Sequence, residues 1–121
     1  MTRKLYDKLV RDRIPELIRA SGNTCGTEMF DDDIAFRRAL RDKLVEEATE
    51  AAKAPDTDLA AELADVREVI DALIDAYGLG HDTVRGLQEQ RRADRGGLRI
   101  GCVCSGQSEP HVGSSFEAAG A

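Results

Sequence analysis

Two long stretches free of glycine and proline constrain the fold of this chain more than any other feature. They cover residues 31–54 and 56–77, and only Pro55 separates them. Because glycine and proline are the residues that most often interrupt a helix, each stretch predicts one long helix. Since the connection between them is short, the two helices should lie side by side as an antiparallel hairpin.

Polar residues mark the ends of these two helices. The run Asp31–Asp33 suits the start of the first helix, where a carboxylate caps the free amides and opposes the helix dipole. Asp56, Thr57 and Asp58 are cap candidates for the second helix, and Gly78 should end it.

Shorter elements are predicted on both sides of the hairpin. A first helix covers "RIPELIRASG", with Pro15 in its first turn and Gly22 at its end, and a fourth helix covers "HDTVRGLQEQRRADR". One segment, "LRIGCVC", resembles a short strand. The chain is therefore predicted to be all-α, an antiparallel helical hairpin or bundle with two long central helices. We expect one domain over residues 1–101 and a flexible, Gly/Ser-rich tail over residues 102–121.

The composition predicts a small aliphatic core. Of the 121 residues, 41% are hydrophobic but only 4% are aromatic, and there is no tryptophan. Because a domain of this size buries a modest fraction of its surface, self-association would help to complete the bundle. The three cysteines lack the spacing of zinc ligands and are predicted to be free thiols.

Charge and hydropathy exclude several classes of partner. The first residues are charged and lack the continuous apolar core of a signal peptide. No run approaches the roughly 18 apolar residues that a membrane helix needs. We therefore expect a cytoplasmic protein with no membrane partner. A net charge of −6 argues against binding to a nucleic acid polymer.

Acidic residues approach the apolar stripe of the first long helix within "KLVEEATEAA", residues 43–52. On a helix that turns about 100° per residue, Glu47 falls inside this stripe. Glu50 and Lys43 lie at its edge, about 60° and 40° from Glu47, and Glu46 lies further out at about 100°.

The second long helix carries a matching pair of acids. Its apolar stripe, about 80° wide, consists of Leu59, Leu63, Val66, Ile70, Leu73 and Tyr77. Glu62 lies at the border of this stripe and Asp65 one step beyond it. By contrast, Glu68, Asp71 and Asp75 point the opposite way and should be solvated. Four carboxylates, two from each helix, should therefore border the surfaces on which the helices meet.

Carboxylates drawn together out of water destabilise a fold unless they are paired, protonated or bound to a cation. Lys43 and an N-terminal Lys or Arg would offset part of this charge, and a divalent cation would offset more. Carboxylate oxygens are hard ligands that match Mg²⁺ or Mn²⁺. One acidic pair alone is typical of ordinary helix-edge salt bridges, but two pairs on one hairpin favour a metal site. A di-iron centre would need Glu-x-x-His pairs, which His81 and His111 are not placed to supply.

Four segments together resemble a known enzyme family. In chain order they are "YDKLVRDRIPELI", "KLVEEATEAA", "AELADVREVIDAL" and "RRADRGGL". Over about residues 5–100 the chain is similar to the all-α nucleoside triphosphate pyrophosphohydrolases, the superfamily that includes MazG and phosphoribosyl-ATP pyrophosphohydrolase. Within that superfamily, "LVRDRIP" and "RGG" resemble a small single-domain branch. The chain departs from the family at Leu98, where an aromatic residue usually follows Gly-Gly.

The resemblance implies an activity and a role for each acidic residue. Members use Mg²⁺ to cleave a nucleotide between its α- and β-phosphates, which releases a monophosphate and pyrophosphate, and they commonly form dimers or tetramers. Glu47 with Glu50, and Glu62 with Asp65, match the two metal-binding pairs of the family. Glu46 matches an additional acid, which we take as the candidate general base because it flanks the metal ligands.

Basic residues are candidates for contacts with the substrate phosphates. Lys43 matches a basic residue one turn before the acidic motif of the family, and Lys8, Arg11 and Arg95 come from the basic ends of the chain. The expected function is a Mg²⁺-dependent nucleoside triphosphate pyrophosphohydrolase that clears noncanonical or surplus nucleotides. One alternative is phosphoribosyl-ATP pyrophosphohydrolase of histidine synthesis, against which "LVRDRIP" argues. Another is a non-enzymatic helical dimerisation or binding module.

Overall fold

The computed structural model describes residues 8–106, and this part of the chain is all-α. It contains, in order, α1 (Ile14–Ala20), α2 (Asp33–Lys53), α3 (Leu59–Ala76) and α4 (His81–Arg95). All four predicted helices are confirmed. In the described part of the chain, no helix combines the length and apolarity that crossing a membrane requires.

The strand predicted for residues 98–104 is wrong. This segment is irregular, and residues 8–106 contain no other strand with which it could pair. Gly101 has a φ of 77°, a left-handed conformation that interrupts an extended backbone. Residues 107–121, which hold His111 and most of the predicted flexible tail, lie outside the described residues.

The helix ends follow the predicted signals. Asp32 caps α2, since its Oδ1 accepts a hydrogen bond of 2.7 Å from the backbone N of Ala35. Asp58 precedes α3, but its side chain makes no capping hydrogen bond. Gly22 and Gly78 follow α1 and α3 with φ values of 93° and 62°, which end these helices in the conformation that glycine adopts most readily.

The hairpin of α2 and α3 forms the core, and that core is small. Among the described residues only Leu40, Val69 and Ile74 are buried, at 3%, 7% and 7% exposure. Leu40 confirms the predicted inner face of α2, on which Leu44 and Glu47 are partly buried. The aliphatic core predicted from the composition is therefore present, but three side chains are few for a stable domain.

α3 is turned differently about its axis from the sequence-based expectation. Three residues of its predicted inner stripe are exposed at 37%, 52% and 39%, namely Leu59, Leu63 and Ile70. Instead, Val69 is buried and its neighbours Glu62 and Asp65 are partly buried. The prediction that the whole apolar stripe of α3 packs against α2 is therefore wrong. The cause is that α3 is apolar on more than one flank, so its periodicity does not select the flank that meets α2.

The chain divides into two compact units, the first ending at Leu87 and the second beginning at Gln88. The hairpin belongs to the first unit. Arg95 and the following glycines belong to the second.

Because the core is small, truncation of one of its side chains should have a measurable effect on stability. Replacement of Leu40 by Ala should lower the free energy of unfolding by about 2 kcal/mol or more, because it leaves a cavity at the contact of α2 and α3. Val45→Ala on the same helix is a matched control, since Val45 is 67% exposed and its truncation should change that free energy by about 0.5 kcal/mol or less. Urea unfolding followed by circular dichroism measures both, and equal losses would contradict the described packing.

Candidate metal centre

Three carboxylates from the two long helices converge on one point. Glu47 of α2 and Glu62 and Asp65 of α3 each offer an oxygen, and these oxygens all lie within 4.8 Å of one another. All three residues are partly buried. Glu62 and Asp65 share one side of α3 because they are three residues apart. The orientation of α3 described above turns that side toward α2.

The fourth predicted ligand, Glu50, lies beside this triad and is not part of it. Glu50 is exposed, three residues after Glu47 on α2. Its charge nevertheless acts on the triad, because repulsion from Glu50 contributes to the raised pKa of Glu62. Three of the four predicted metal ligands therefore meet, and the fourth borders them.

Lys43 compensates part of this charge from within α2. Its Nζ lies 3.2 Å from Oε1 of Glu47 and 3.5 Å from Oε2 of Glu46. The side chains of Lys43 and Glu47 are each only 14% exposed. Such a pair is screened less by solvent than a surface pair, so removal of Lys43 would leave a partly buried carboxylate without its partner and destabilise the contact of the two helices.

Two more cations reach the centre from the segment that precedes α1. Nζ of Lys8 donates a hydrogen bond of 2.6 Å to Oε1 of Glu46, and Nη2 of Arg11 donates one of 2.6 Å to Oδ1 of Asp65. The expectation that N-terminal cations offset the acidic charge is confirmed. Because Glu46 lies on α2 and Asp65 on α3, these two pairs also tie the N-terminal segment to both helices.

The compensation is incomplete. Among the described residues, five carboxylates (Glu46, Glu47, Glu50, Glu62 and Asp65) and three cations (Lys8, Arg11 and Lys43) meet here, so the negative charges outnumber the positive ones by two. The excess of negative charge affects Glu62. Its pKa is raised by desolvation and by repulsion from Asp65, Glu50 and Glu47. The hydrogen bond from Lys8, by contrast, holds the pKa of Glu46 below its usual range. An all-oxygen cluster with two excess negative charges fits a hard divalent cation such as Mg²⁺ or Mn²⁺.

Arg95, the remaining predicted substrate contact, belongs to the second compact unit. There it lines a concavity of about 570 Å³ together with Arg92 and Arg99. Its contact with a substrate phosphate stays a prediction.

Some contacts have no clear signal in the sequence. Asp71 and Asp75 are exposed as predicted, but Asp75 also accepts a hydrogen bond of 2.8 Å from Nε2 of His81, the first residue of α4. The sequence analysis also does not predict the grouping of two arginines around Tyr77 at the other end of the hairpin. The sequence indicates it only weakly, through the four-residue spacing of the two arginines on α2.

Comparison with known proteins yields one curated relative and no family. A protein of Mycolicibacterium smegmatis (strain ATCC 700084 / mc(2)155), described as an uncharacterized protein, is 51% identical over 55 residues. The matched part is 46% of this chain and 55% of the relative, so the chain spans about half the length of the curated protein it matches. No protein-family model matches the chain, and no solved structure matches it.

The raised pKa of Glu62 predicts the effect of neutralising this residue. A group whose pKa is raised by folding destabilises the fold once it ionises, so Glu62→Gln should raise the melting temperature at neutral pH in the presence of EDTA. The gain should vanish below about pH 4, where a glutamate is protonated in the folded and the unfolded chain. Mg²⁺ should raise the melting temperature of the wild type more than that of the variant.

Differential scanning fluorimetry across this pH range measures the effect. Glu68→Gln is the matched control, because Glu68 is an exposed acid on the same helix that lies outside the triad. If Glu62→Gln melts below the wild type at neutral pH, or if Glu68→Gln gives the same gain, repulsion within the triad is not the cause.

Proposed function

We propose that this protein is a Mg²⁺-dependent nucleoside triphosphate pyrophosphohydrolase. It would cleave the bond between the α- and β-phosphates and release a nucleoside monophosphate and pyrophosphate. The observation that carries the proposal is the convergence of Glu47, Glu62 and Asp65 within 4.8 Å, with cations at its border. The resemblance of the acidic segments to the all-α pyrophosphohydrolases agrees with it.

The charge arrangement suits a triphosphate that binds with a divalent cation. Glu47, Glu62 and Asp65 would hold the ion, with Glu50 beside them. When bound, Mg²⁺ supplies charge neutralisation at the phosphates and lowers the pKa of a coordinated water. Phosphoryl transfer leaves the protein mainly the tasks of positioning and of stabilising charge, and carboxylates and cations placed side by side are the groups that those tasks require.

Lys8, Arg11 and Lys43 would bind the phosphates. Lys8 and Arg11 suit this role because their present partners are exchangeable. The side chains of Lys8 and Arg11 are 46% and 53% exposed, and pairs this exposed contribute about 1 kcal/mol or less to stability. Each can therefore leave its carboxylate for a phosphate at little cost to the fold. Lys43, which is only 14% exposed, would act from its fixed position on α2.

Glu46 remains the candidate general base, and its pairing adds a condition. Lys8 holds the pKa of Glu46 low, which makes this carboxylate a weak proton acceptor as long as the pair persists. Transfer of Lys8 to a phosphate would remove the partner that most stabilises the ionised Glu46 carboxylate. The basicity of Glu46 would then rise. Binding of the substrate would in this way prepare Glu46 to take a proton from the attacking water.

We also propose that the protein acts as a homodimer or homotetramer. Only three side chains are buried among the described residues, which is little for a chain of this length. Leu59, Leu63 and Ile70 lie on one exposed side of α3 and form an apolar face. A second copy that covers this face would complete the bundle while leaving the acidic side of α3 against α2.

Turnover of nucleotides tests the proposed activity. The wild type with Mg²⁺ should release pyrophosphate from at least one member of a panel of canonical and modified nucleoside triphosphates. Glu47→Gln and Asp65→Asn should each lower that turnover by about a hundredfold or more, because each removes a ligand of the ion. Glu68→Gln, on the exposed side of α3, should leave turnover unchanged.

The panel should include phosphoribosyl-ATP, and the metal should be varied between Mg²⁺, Mn²⁺ and EDTA. If no nucleotide yields pyrophosphate and Mg²⁺ produces neither titration heat nor a shift in melting, the chain is a binding or dimerisation module. Equal losses in Glu47→Gln and Glu68→Gln would show that the triad has no special role.

Light scattering tests the proposed assembly. The wild type should have a mass of two or four times 13.2 kDa at working concentration. Leu63→Lys should shift it to the monomer, because it places a charge in the apolar face of α3. Val45→Lys is the matched control, since Val45 is an exposed apolar residue of α2 outside that face. A monomeric wild type, or an unchanged mass in Leu63→Lys, would contradict the proposal.

A further inference from the structure

A second group of charges lies where the start of α2 meets the end of α3. Arg37 and Arg41 of α2 both approach the ring of Tyr77, with guanidinium carbons 5.0 and 5.1 Å from the ring centre. Nε of Arg41 donates a hydrogen bond of 2.7 Å to the hydroxyl of Tyr77, and Nε of Arg37 donates one of 3.0 Å to the carbonyl of Ala76. These contacts hold two positive charges close together on a fixed aromatic ring.

Among the described residues, no carboxylate pairs with the arginines of this group. Within residues 8–106, neither Arg37 nor Arg41 nor the neighbouring Arg38 forms an ion pair. Asp42 lies four residues after Arg38, the spacing of a helix salt bridge, yet the two do not pair. Arg37 is compensated in part by the carbonyl end of α3, to which it donates. Arg38 and Arg41 have no acidic partner among the described residues, and an anion would compensate their charge.

The space at this group fits a small anion. An open concavity of about 250 Å³ is lined by Ile34, Arg38, Arg41 and Tyr77. Pockets that hold a whole drug-sized ligand measure about 300–1,000 Å³, so this one suits a phosphate or pyrophosphate group and not a complete nucleotide. Arg41 donates a side-chain hydrogen bond only through its Nε within the described chain, which leaves its terminal nitrogens to donate to phosphate oxygens.

This group lies on a different side of α2 from the acidic centre. With Glu47 as reference, Arg41 lies about 120° and Arg38 about 180° round the helix, and they lie about 9 and 13 Å along its axis toward the start of α2. The two arginines are therefore separated from Lys43 and Glu47 both round the helix and along it. We propose that Arg38, Arg41 and Tyr77 form a second, metal-independent binding site for a phosphate group.

Calorimetric titration of the full chain in EDTA tests this site. Orthophosphate, pyrophosphate and a nucleoside monophosphate serve as three separate probes. The wild type should bind at least one of them. The affinity of the double variant R38Q/R41Q for that probe should be lower by about tenfold or more, because both bidentate donors are removed. Equal affinity for orthophosphate and the monophosphate identifies free phosphate as the ligand, and tighter binding of the monophosphate identifies a nucleotide phosphate.

Three further variants keep the result decisive. Arg38 makes no hydrogen bond or ion pair within the described chain, so R38Q alone should keep the wild-type melting temperature and still weaken binding severalfold. R67Q removes an exposed arginine of α3 outside the concavity and should leave the affinity unchanged. Glu47→Gln should also leave it unchanged, since it alters only the acidic centre.

Three outcomes would overturn the proposal. They are no binding of any probe by the wild type, an equal loss in R67Q, and a loss in Glu47→Gln. If the first outcome is accompanied by a drop in molecular mass in R38Q/R41Q, the arginine group is an interface between copies of the chain. Because all titrations are done without metal and without turnover, failure of the pyrophosphohydrolase proposal leaves this test unaffected.

Discussion

The fold and the candidate site depend on one constraint, namely that α2 and α3 meet along sides that carry carboxylates. Charges at a helix contact destabilise it unless other charges compensate them. Here Lys43 lies 3.2 Å from Glu47 within the contact, and two cations of the N-terminal segment approach from outside it. Few apolar side chains assist, since only three are buried in residues 8–106. The hairpin therefore combines a small core with an incomplete charge balance, and that imbalance is the property that a divalent cation would correct.

The orientation of α3 links the acidic centre to the proposed assembly. A helix that carries both an acidic side and an apolar side presents only one of them to a single partner. In this chain α3 turns Glu62 and Asp65 toward α2, and Leu63 and Ile70 consequently remain exposed. The opposite orientation would bury more leucine in the monomer, but it would disperse the three carboxylates. Covering of the apolar side by a second copy would therefore stabilise the same orientation that keeps the acidic centre together.

The sequence predicts some parts of this structure well and others poorly, for physical reasons. Helix positions follow from local signals, such as Asp32 as a cap and Gly78 as a stop, and these act within a few residues. The inner side of α2 is predictable because Phe36, Leu40 and Leu44 fall on one stripe, whereas the exposed Val45 lies outside it. The orientation of α3 is not, since it is decided by packing between helices. The pairing of Arg11 with Asp65 joins residues 54 positions apart, and no local pattern specifies a contact of that separation.

The cations of the acidic centre differ in how firmly they are held, and this difference bears on function. Lys43 is largely shielded from solvent beside Glu47, so moving it would leave a partly buried carboxylate without its partner. Lys8 and Arg11 are about half exposed, and solvent compensates Glu46 and Asp65 when they leave. A phosphate can thus recruit Lys8 and Arg11 without weakening the contact of α2 and α3. Departure of Arg11 also frees an oxygen of Asp65 for a cation, so binding of the phosphate and binding of the ion should favour each other.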